Sequence, residues 1–374
     1  MKAIFDTQKL SHALEQVQSA AQTKVTSNTN NGFFISLKEG KAEFQANDYS
    51  IGIASSCDVD IKEEGTVVIV APQLLNTIKL LPQGLVTMEQ KNGESLVHFS
   101  IGSYNAAFPT KEFDEFPQVK KIDHQNHVLL SCKEFIEMVN QVSFAGSNDI
   151  KNPMFTGVLC EIKDNSVTFV ATNAHQLATK KIAINQSVSE EGRFIIPIYA
   201  LQDVIRLLPS EEDATIEISW ANRHVAFAFE DTYFISTLIN GEYPKYEKVF
   251  PDQFHLKVEL ELKEFIEAVR FVSTISRDLS YKTINFRFAD NTLCVYEEDP
   301  DIGRSETSIP AVMDGENVKI TFNYTYVENI LKHSIGDKII LHVMKNGPMV
   351  VEQEKDKDFR YVVTPIKGLE NEKN

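Results

Sequence analysis

Among the residues able to do chemistry, His175 stands out by type, since an imidazole can act as a general base or a metal ligand near neutral pH. It lies in the run Ala171-Thr172-Asn173-Ala174-His175-Gln176-Leu177-Ala178, between strand-like segments. Either role needs partners at set spacing, and His175 has no HxxxH, HExxH or nucleophile-elbow context. The chain also has no glycine-rich phosphate loop. The four cysteines, Cys57, Cys132, Cys160 and Cys294, form no CxxC pair and sit inside apolar or strand-like runs. They read as reduced core thiols, with no metal or cofactor expected. An enzyme built on His175 is therefore the weaker reading, and a binding protein the stronger one.

The charge balance says what such a protein could bind. A formal net charge of −16 argues against a surface that grips nucleic acid by bulk attraction, so any contact with DNA must be confined to a local face. No apolar run approaches the roughly 20 residues that span a bilayer. The opening Met1-Lys2-Ala3-Ile4-Phe5-Asp6 lacks the apolar stretch of a secretory signal, and a cytoplasmic location is expected.

The elements that hold these residues repeat. Three segments, residues 4–23, 128–145 and 258–275, each read as a strand followed by an amphipathic helix. Lys-Glu-Phe-Ile-Glu occurs at Lys133 to Glu137 and again at Lys263 to Glu267. The stripes Leu10, Leu14, Val17, Ala21; Phe135, Met138, Val142; and Phe265, Val269, Val272 follow the spacing of one buried helical face. Ser131 and Glu134 fit a capping box. A second helix follows in each copy, and the first two end in Leu-Leu-Pro, at Leu80 to Pro82 and Leu207 to Pro209, where the proline stops the helix. Alternating runs such as Val167, Phe169, Ala171 and Ile216, Ile218, Trp220 read as strands with one buried face.

Ile51, Leu177 and Ile302 are 126 and 125 positions apart, which predicts three domains at 1–125, 126–252 and 253–374. Each would hold two copies of a β-α-β-β-β unit, an α+β arrangement with helices on one face of antiparallel sheets. Modules of this kind can pair sheet edge to sheet edge, and two arcs with closed twofold symmetry would leave no edge exposed.

The run Ala171 to Ala178 resembles the Ala-Thr-Asp-Gly-His-Arg-Leu-Ala signature of bacterial DNA sliding clamps, the beta subunits of DNA polymerase III. Gly241-Glu242-Tyr243-Pro244 with Val249 is similar to the stretch closing their second domain, and Tyr361-Val362-Val363-Thr364-Pro365-Ile366 to their ending. The resemblance covers the whole chain. It implies a homodimeric head-to-tail ring around double-stranded DNA, with helices lining the central channel and sheets outside. Such a ring is opened by a clamp loader and tethers the polymerase alpha subunit and other partners. It has no catalytic activity, and a topological hold explains how an acidic protein retains DNA.

Carried over residue by residue, the resemblance places a pocket for a Gln-Leu-x-Leu-Phe-type partner peptide at Phe155, Thr172, Ala174, His175, Gln176, Leu177, Pro244, Lys248, Val249, Met349, Val362, Val363, Thr364, Pro365 and Ile366. Leu177, Val249, Val362 and Val363 would equally be apolar in any sheet core. Asn173, Ala174, Gln176 and Thr364 depart from the family's Asp, Gly, Arg and Met. Alanine for glycine suggests a backbone position that does not demand positive φ, and the departures leave open a specialised paralogue with altered peptide preference. Lys24, Asn148, Lys151, Arg206, Arg277 and Lys282 are the candidate phosphate contacts, although Lys24-Val25-Thr26-Ser27-Asn28 replaces the family's usual pattern there. Ring closure is expected to join the strand around Tyr104 to Phe108 with the region near Phe271 and Val295, so that a charge at Phe108 would yield monomers.

Overall fold

The computed structural model describes residues 1–21, 32–69, 73–111, 116–122, 126–186, 188, 190–276 and 282–366. The chain divides into two compact units. One is built from Met1–Phe135, Gln186–Glu190 and Tyr199–Leu238, the other from Ile136–Asn185, Glu191–Ile198 and Ile239–Asn374. The division runs through the middle repeat because strand pairing fuses neighbouring repeats.

Six α-helices occur among the described residues, two in each repeat: α1 (Thr7–Ala21), α2 (Gln73–Lys79), α3 (Cys132–Val142), α4 (Ile198–Leu207), α5 (Leu262–Ser276) and α6 (Tyr324–His333). Side-chain caps mark the starts of α1, α3 and α6, the last through Asn323. Asp6 Oδ1 accepts from the amides of Gln8 and Lys9 at 2.8 and 3.2 Å. At α3 the capping box forms in full: Ser131 Oγ accepts from Glu134 N at 3.2 Å, and Glu134 Oε2 accepts from Ser131 N at 3.3 Å. The apolar stripes turn inward as their spacing predicts, except that α1 buries Ala20 where Ala21 was expected. Phe265 on α5 meets Phe286 of the underlying sheet at 5.6 Å, and Phe135 on α3 meets Phe227 at the same distance. The shared Lys-Glu-Phe-Ile-Glu motif thus delivers the same aromatic knob twice.

In the first unit thirteen strands form one antiparallel sheet. Its two halves meet where Ile51–Asp58, an edge strand of the first repeat, pairs with Thr232–Thr237 of the second, in the register Phe234 opposite Ile53 and Ile235 opposite Gly52. The second unit repeats the device in a nine-stranded sheet: Gln176–Ala183 pairs with Phe359–Val363, Leu177 opposite Val362. A separate four-stranded sheet ends on Gly303–Pro310, which among the described residues pairs with Thr292–Asp299 alone.

Each of these edge strands is entered through the same turn. Asp48 Oδ1 accepts from Ser50 N and Ile51 N, Asn173 Oδ1 from His175 N and Gln176 N, and Asp299 Oδ1 from Asp301 N and Ile302 N, at 2.8 to 3.0 Å. Ile51, Gln176 and Ile302 are therefore equivalent, which moves the middle landmark one residue from Leu177. The sheet facing this turn in the second unit differs from the sequence expectation in a second way. Ser166–Thr172 is buried along almost its whole length, because Val170 and its neighbours Leu159, Leu177, Ile195, Val350 and Val362 are covered by Tyr243 and Tyr246. A strand buried on both faces shows no alternation.

Candidate peptide-binding cleft

The cleft lies in the second unit, where that covered outer face runs out. Phe155, Thr172, Ala174, His175, Gln176, Leu177, Pro244, Tyr246, Val249, Val362 and Thr364 enclose about 180 Å³. Leu177 and Val362, paired across the repeat junction, give it an apolar floor. Pro244 and Val249, the latter 38% exposed, form a rim on the segment that crosses the sheet.

The turn at Asn173 fixes one wall. Thr172 Oγ1 donates to the Gln176 carbonyl at 2.6 Å and accepts from Ala174 N at 3.1 Å. Ala174 has φ +74°. The inference from alanine that this position needs no positive φ is thus overturned: the turn imposes the left-handed conformation, and Ala174 adopts it at a cost of about 1 kcal/mol. Thr364 N closes the turn onto the terminal strand by donating to the His175 carbonyl at 2.9 Å. Gln176 is bound inward: Tyr361 Oη lies 2.8 Å from its Oε1, and its Nε2 donates to the Phe144 carbonyl at 3.3 Å. The His175 ring lies exposed, parallel to that of Tyr326 with centroids 6.3 Å apart.

Tyr246 borders the cleft without having been anticipated. Its hydroxyl lies 2.5 Å from Oε2 of buried Glu161, which also pairs with Arg193, and burial raises the phenol far above its ordinary range. The clue available was its i, i+3 spacing from Val249 just beyond Pro244. Tyr243 donates to the Val170 carbonyl at 3.3 Å and sets Phe155 edge-on at 6.4 Å.

Other expected members lie elsewhere. Met349 and Val363 face each other in the ladder, and the period of two puts them on the opposite side of the sheet from Val350 and Val362. Lys248 is an exposed residue outside the lining. Pro365 and Ile366 run past the cleft to Thr321, whose carbonyl accepts from Ile366 N at 2.9 Å.

Of the candidate DNA contacts, Lys24 and Arg277 lie outside the described residues. Asn148 and Lys151 are exposed in a loop of the second unit, where Lys151 N donates to Asp149 Oδ1. Arg206 is exposed on α4 in the first unit and paired with Asp203. Lys282 is exposed with φ +48°. Among the residues expected at the closing interface, Tyr104 and Phe271 are 53% and 55% exposed. Phe108 is buried against Phe99, centroids 6.0 Å apart, and Val295 is fully buried on an inner strand between Phe286 and Thr307. Val295 is not free to meet another chain because the strand order of its sheet puts Gly303–Pro310 outside it, and the Phe108 ring is turned inward against Phe99.

These features define a protein of the clamp class, in which strand, helix and sheet units repeat and join edge to edge. Family models for the N-terminal, central and C-terminal domains of the DNA polymerase III beta subunit match residues 1–120, 129–245 and 247–367. Beta sliding clamps of Staphylococcus aureus and Staphylococcus epidermidis are each 26% identical, over 83% of this chain and 82% of the relative, and over 90% and 91%. The crystal structure of the DNA polymerase sliding clamp from Bacillus subtilis superposes with TM-score 0.94 at 21% identity, covering 98% of this chain and 99% of that one. A putative DNA polymerase III beta subunit from Eubacterium rectale gives 0.93 at 22%, covering 98% and 100%. The chain belongs to the DNA polymerase III beta subunit family.

Proposed function

We infer that the chain is a DNA sliding clamp for the replicative polymerase: two copies close head to tail around duplex DNA, and the ring tethers partners without catalysing a reaction. One observation carries the assembly. Within the chain, the edge strands Ile51–Asp58 and Gln176–Ala183 are each capped by the last strand of the following repeat's second half. Among the described residues their third equivalent, Gly303–Pro310, pairs on one edge only, and Tyr104–Lys111, the first repeat's counterpart of the capping strands, pairs with Leu96–Ile101 and only through Thr110 and Lys111 with another strand. A second copy would complete the third junction in the pattern of the other two. Tyr104, Phe108 and Phe271 then belong to elements at that seam, and Val295 supports it from behind.

The three repeats, 1–125, 126–252 and 253–374, supply the six domains of the ring. Helices line its channel, where Lys24, Asn148, Lys151, Arg206, Arg277 and Lys282 meet phosphates. Sliding requires that these contacts be weak and independent of sequence, which suits a chain of net charge −16. No helix among the described residues is long and apolar enough to cross a membrane, and the work proposed is cytoplasmic.

The cleft is the partner site: its apolar floor and few polar rim groups suit a peptide with one or two large apolar anchors. Fluorescence polarisation with a labelled Gln-Leu-x-Leu-Phe peptide tests this. Micromolar binding, on the order of −8 kcal/mol, is expected for the wild type and should vanish in Val249→Glu. No binding by the wild type would move the function to a specialised paralogue, with Ala174 and Thr364 the first residues to exchange.

A further inference from the structure

The first unit holds a second and larger cleft, of about 770 Å³, beside the junction of Ile51–Asp58 with Thr232–Thr237. It is the counterpart of the cleft just described. The turns at Asp48 and Asn173 superimpose Ile51 on Gln176 and Gly52 on Leu177, and the two ladders then superimpose Ile235 on Val362. Phe116-Pro117 stands where Tyr243-Pro244 does, 127 positions apart. Phe116 stacks on Phe34 at 5.3 Å and covers the outer face of its sheet as Tyr243 covers the other.

Its lining has changed character. Lys120, Lys121 and His224 border it, all exposed, and no carboxylate does among the described residues. Asp48, in the adjoining turn, is engaged with the amides of Ser50 and Ile51. Lys121 Nζ lies 5.7 Å from the centre of the Tyr233 ring. Tyr49, 69% exposed at φ +68°, occupies the place of Ala174 and stands over the opening. In a chain of net charge −16, a recess with Ile51 and Ile235 in its lining and, among the described residues, only basic charged groups is complementary to an acidic ligand carrying an apolar anchor.

We propose that this cleft is a second peptide-docking site, selective for an acidic segment with a large apolar side chain. The proposal rests in part on reading the first cleft as a peptide site. Two clefts of different charge on one chain let an acidic partner and a Gln-Leu-x-Leu-Phe partner be held at once.

The test is polarisation of a fluorescein-labelled peptide in which a Leu-Phe pair is flanked by glutamates, titrated with the full chain. Binding is expected to weaken roughly tenfold in Lys120→Glu/Lys121→Glu and several-fold in Tyr49→Ala, to fall as salt is raised, and to be unchanged in Val249→Glu. All four positions are exposed, so the variants should fold. Absent binding, or affinity unmoved by the charge reversal, overturns the proposal. So does loss of binding in Val249→Glu, which would place the peptide in the first cleft. Displacement of the probe by oligo(dT) or inorganic phosphate at lower concentration than by unlabelled acidic peptide would overturn it in favour of a phosphate site. A parallel titration with the Gln-Leu-x-Leu-Phe peptide reports on the first cleft independently.

Discussion

Lys180 holds its ammonium 2.6 Å from the carboxylate of Asp356, with both side chains more than nine-tenths buried. Lys180 lies on the strand that opens the second repeat junction, and Asp356 lies just before the strand that pairs with it. Gln141 donates to the same carboxylate at 3.0 Å, and half-exposed Glu137 approaches Lys180 at 3.1 Å.

Removing one partner of such a pair leaves a charge stranded in a low-dielectric interior. Asp356→Ala should therefore destabilise the second unit by about 3 kcal/mol, with Glu137 offsetting part of the loss. Lys180→Met/Asp356→Leu should be close to neutral. Urea midpoints of the two variants check this, and a double mutant weaker than the single would refute it.

Ala174 carries a conformation suited to glycine. Ala174→Gly should raise stability by at most about 0.5 kcal/mol, because relief of about 1 kcal/mol of left-handed strain is largely offset by the roughly 0.5–1 kcal/mol of added freedom in the unfolded chain. Affinity for the Gln-Leu-x-Leu-Phe peptide should hold within about twofold, since the backbone of the turn does not move. Chemical denaturation and polarisation on one preparation measure both.

At the free edge, Thr110 N donates inward to the Ser95 carbonyl at 2.9 Å, so by alternation the amides of Asn105 and Ala107 face outward. Ala107→Pro removes one outward donor and spares the inner ladder. It should shift the protein toward monomer in light scattering while thermal unfolding stays within a few degrees. A dimer of undiminished strength would mean that another surface joins the copies. Phe108→Asp, in contrast, should unfold the first repeat, because Phe108 packs against Phe99.

The thiols should be poor nucleophiles. Burial pushes Cys57 up to about 11 and also raises Cys132, Cys160 and Cys294. Native protein at pH 8 should react only slowly with a disulfide reagent, and all four thiols quickly once unfolded. A fast native phase at pH 8 would contradict the placement of these side chains.

Much of this architecture is legible in the residues because it rests on local periodicity: the helical stripes, the capping box at Ser131 and the triple spacing all find their counterparts. Long-range order is where reading fails. Nothing near Val295 reveals that a further strand lies outside it, and nothing near Val170 announces the cover supplied by Tyr243 and Tyr246. Met349 and Val363 are grouped with the cleft by the family resemblance, although alternation turns them to the face opposite Val362. At Ala174 the residue type concealed the backbone, since the Asn173 side chain and the Thr172 hydroxyl impose a turn that alanine would not choose alone.

The two junctions within the chain and the third proposed between copies rest on one kind of backbone ladder, yet they would answer to dilution differently. Two join strands of the same chain, where a covalent linker keeps the edges at an effective concentration far above that of any protein in solution. In the proposed ring the third is made between separate molecules, and only there would mass action set occupancy. Such a ring would have its parting line fixed in advance: however similar the ladders, falling protein concentration would first open the seam proposed between Gly303–Pro310 and Tyr104–Lys111.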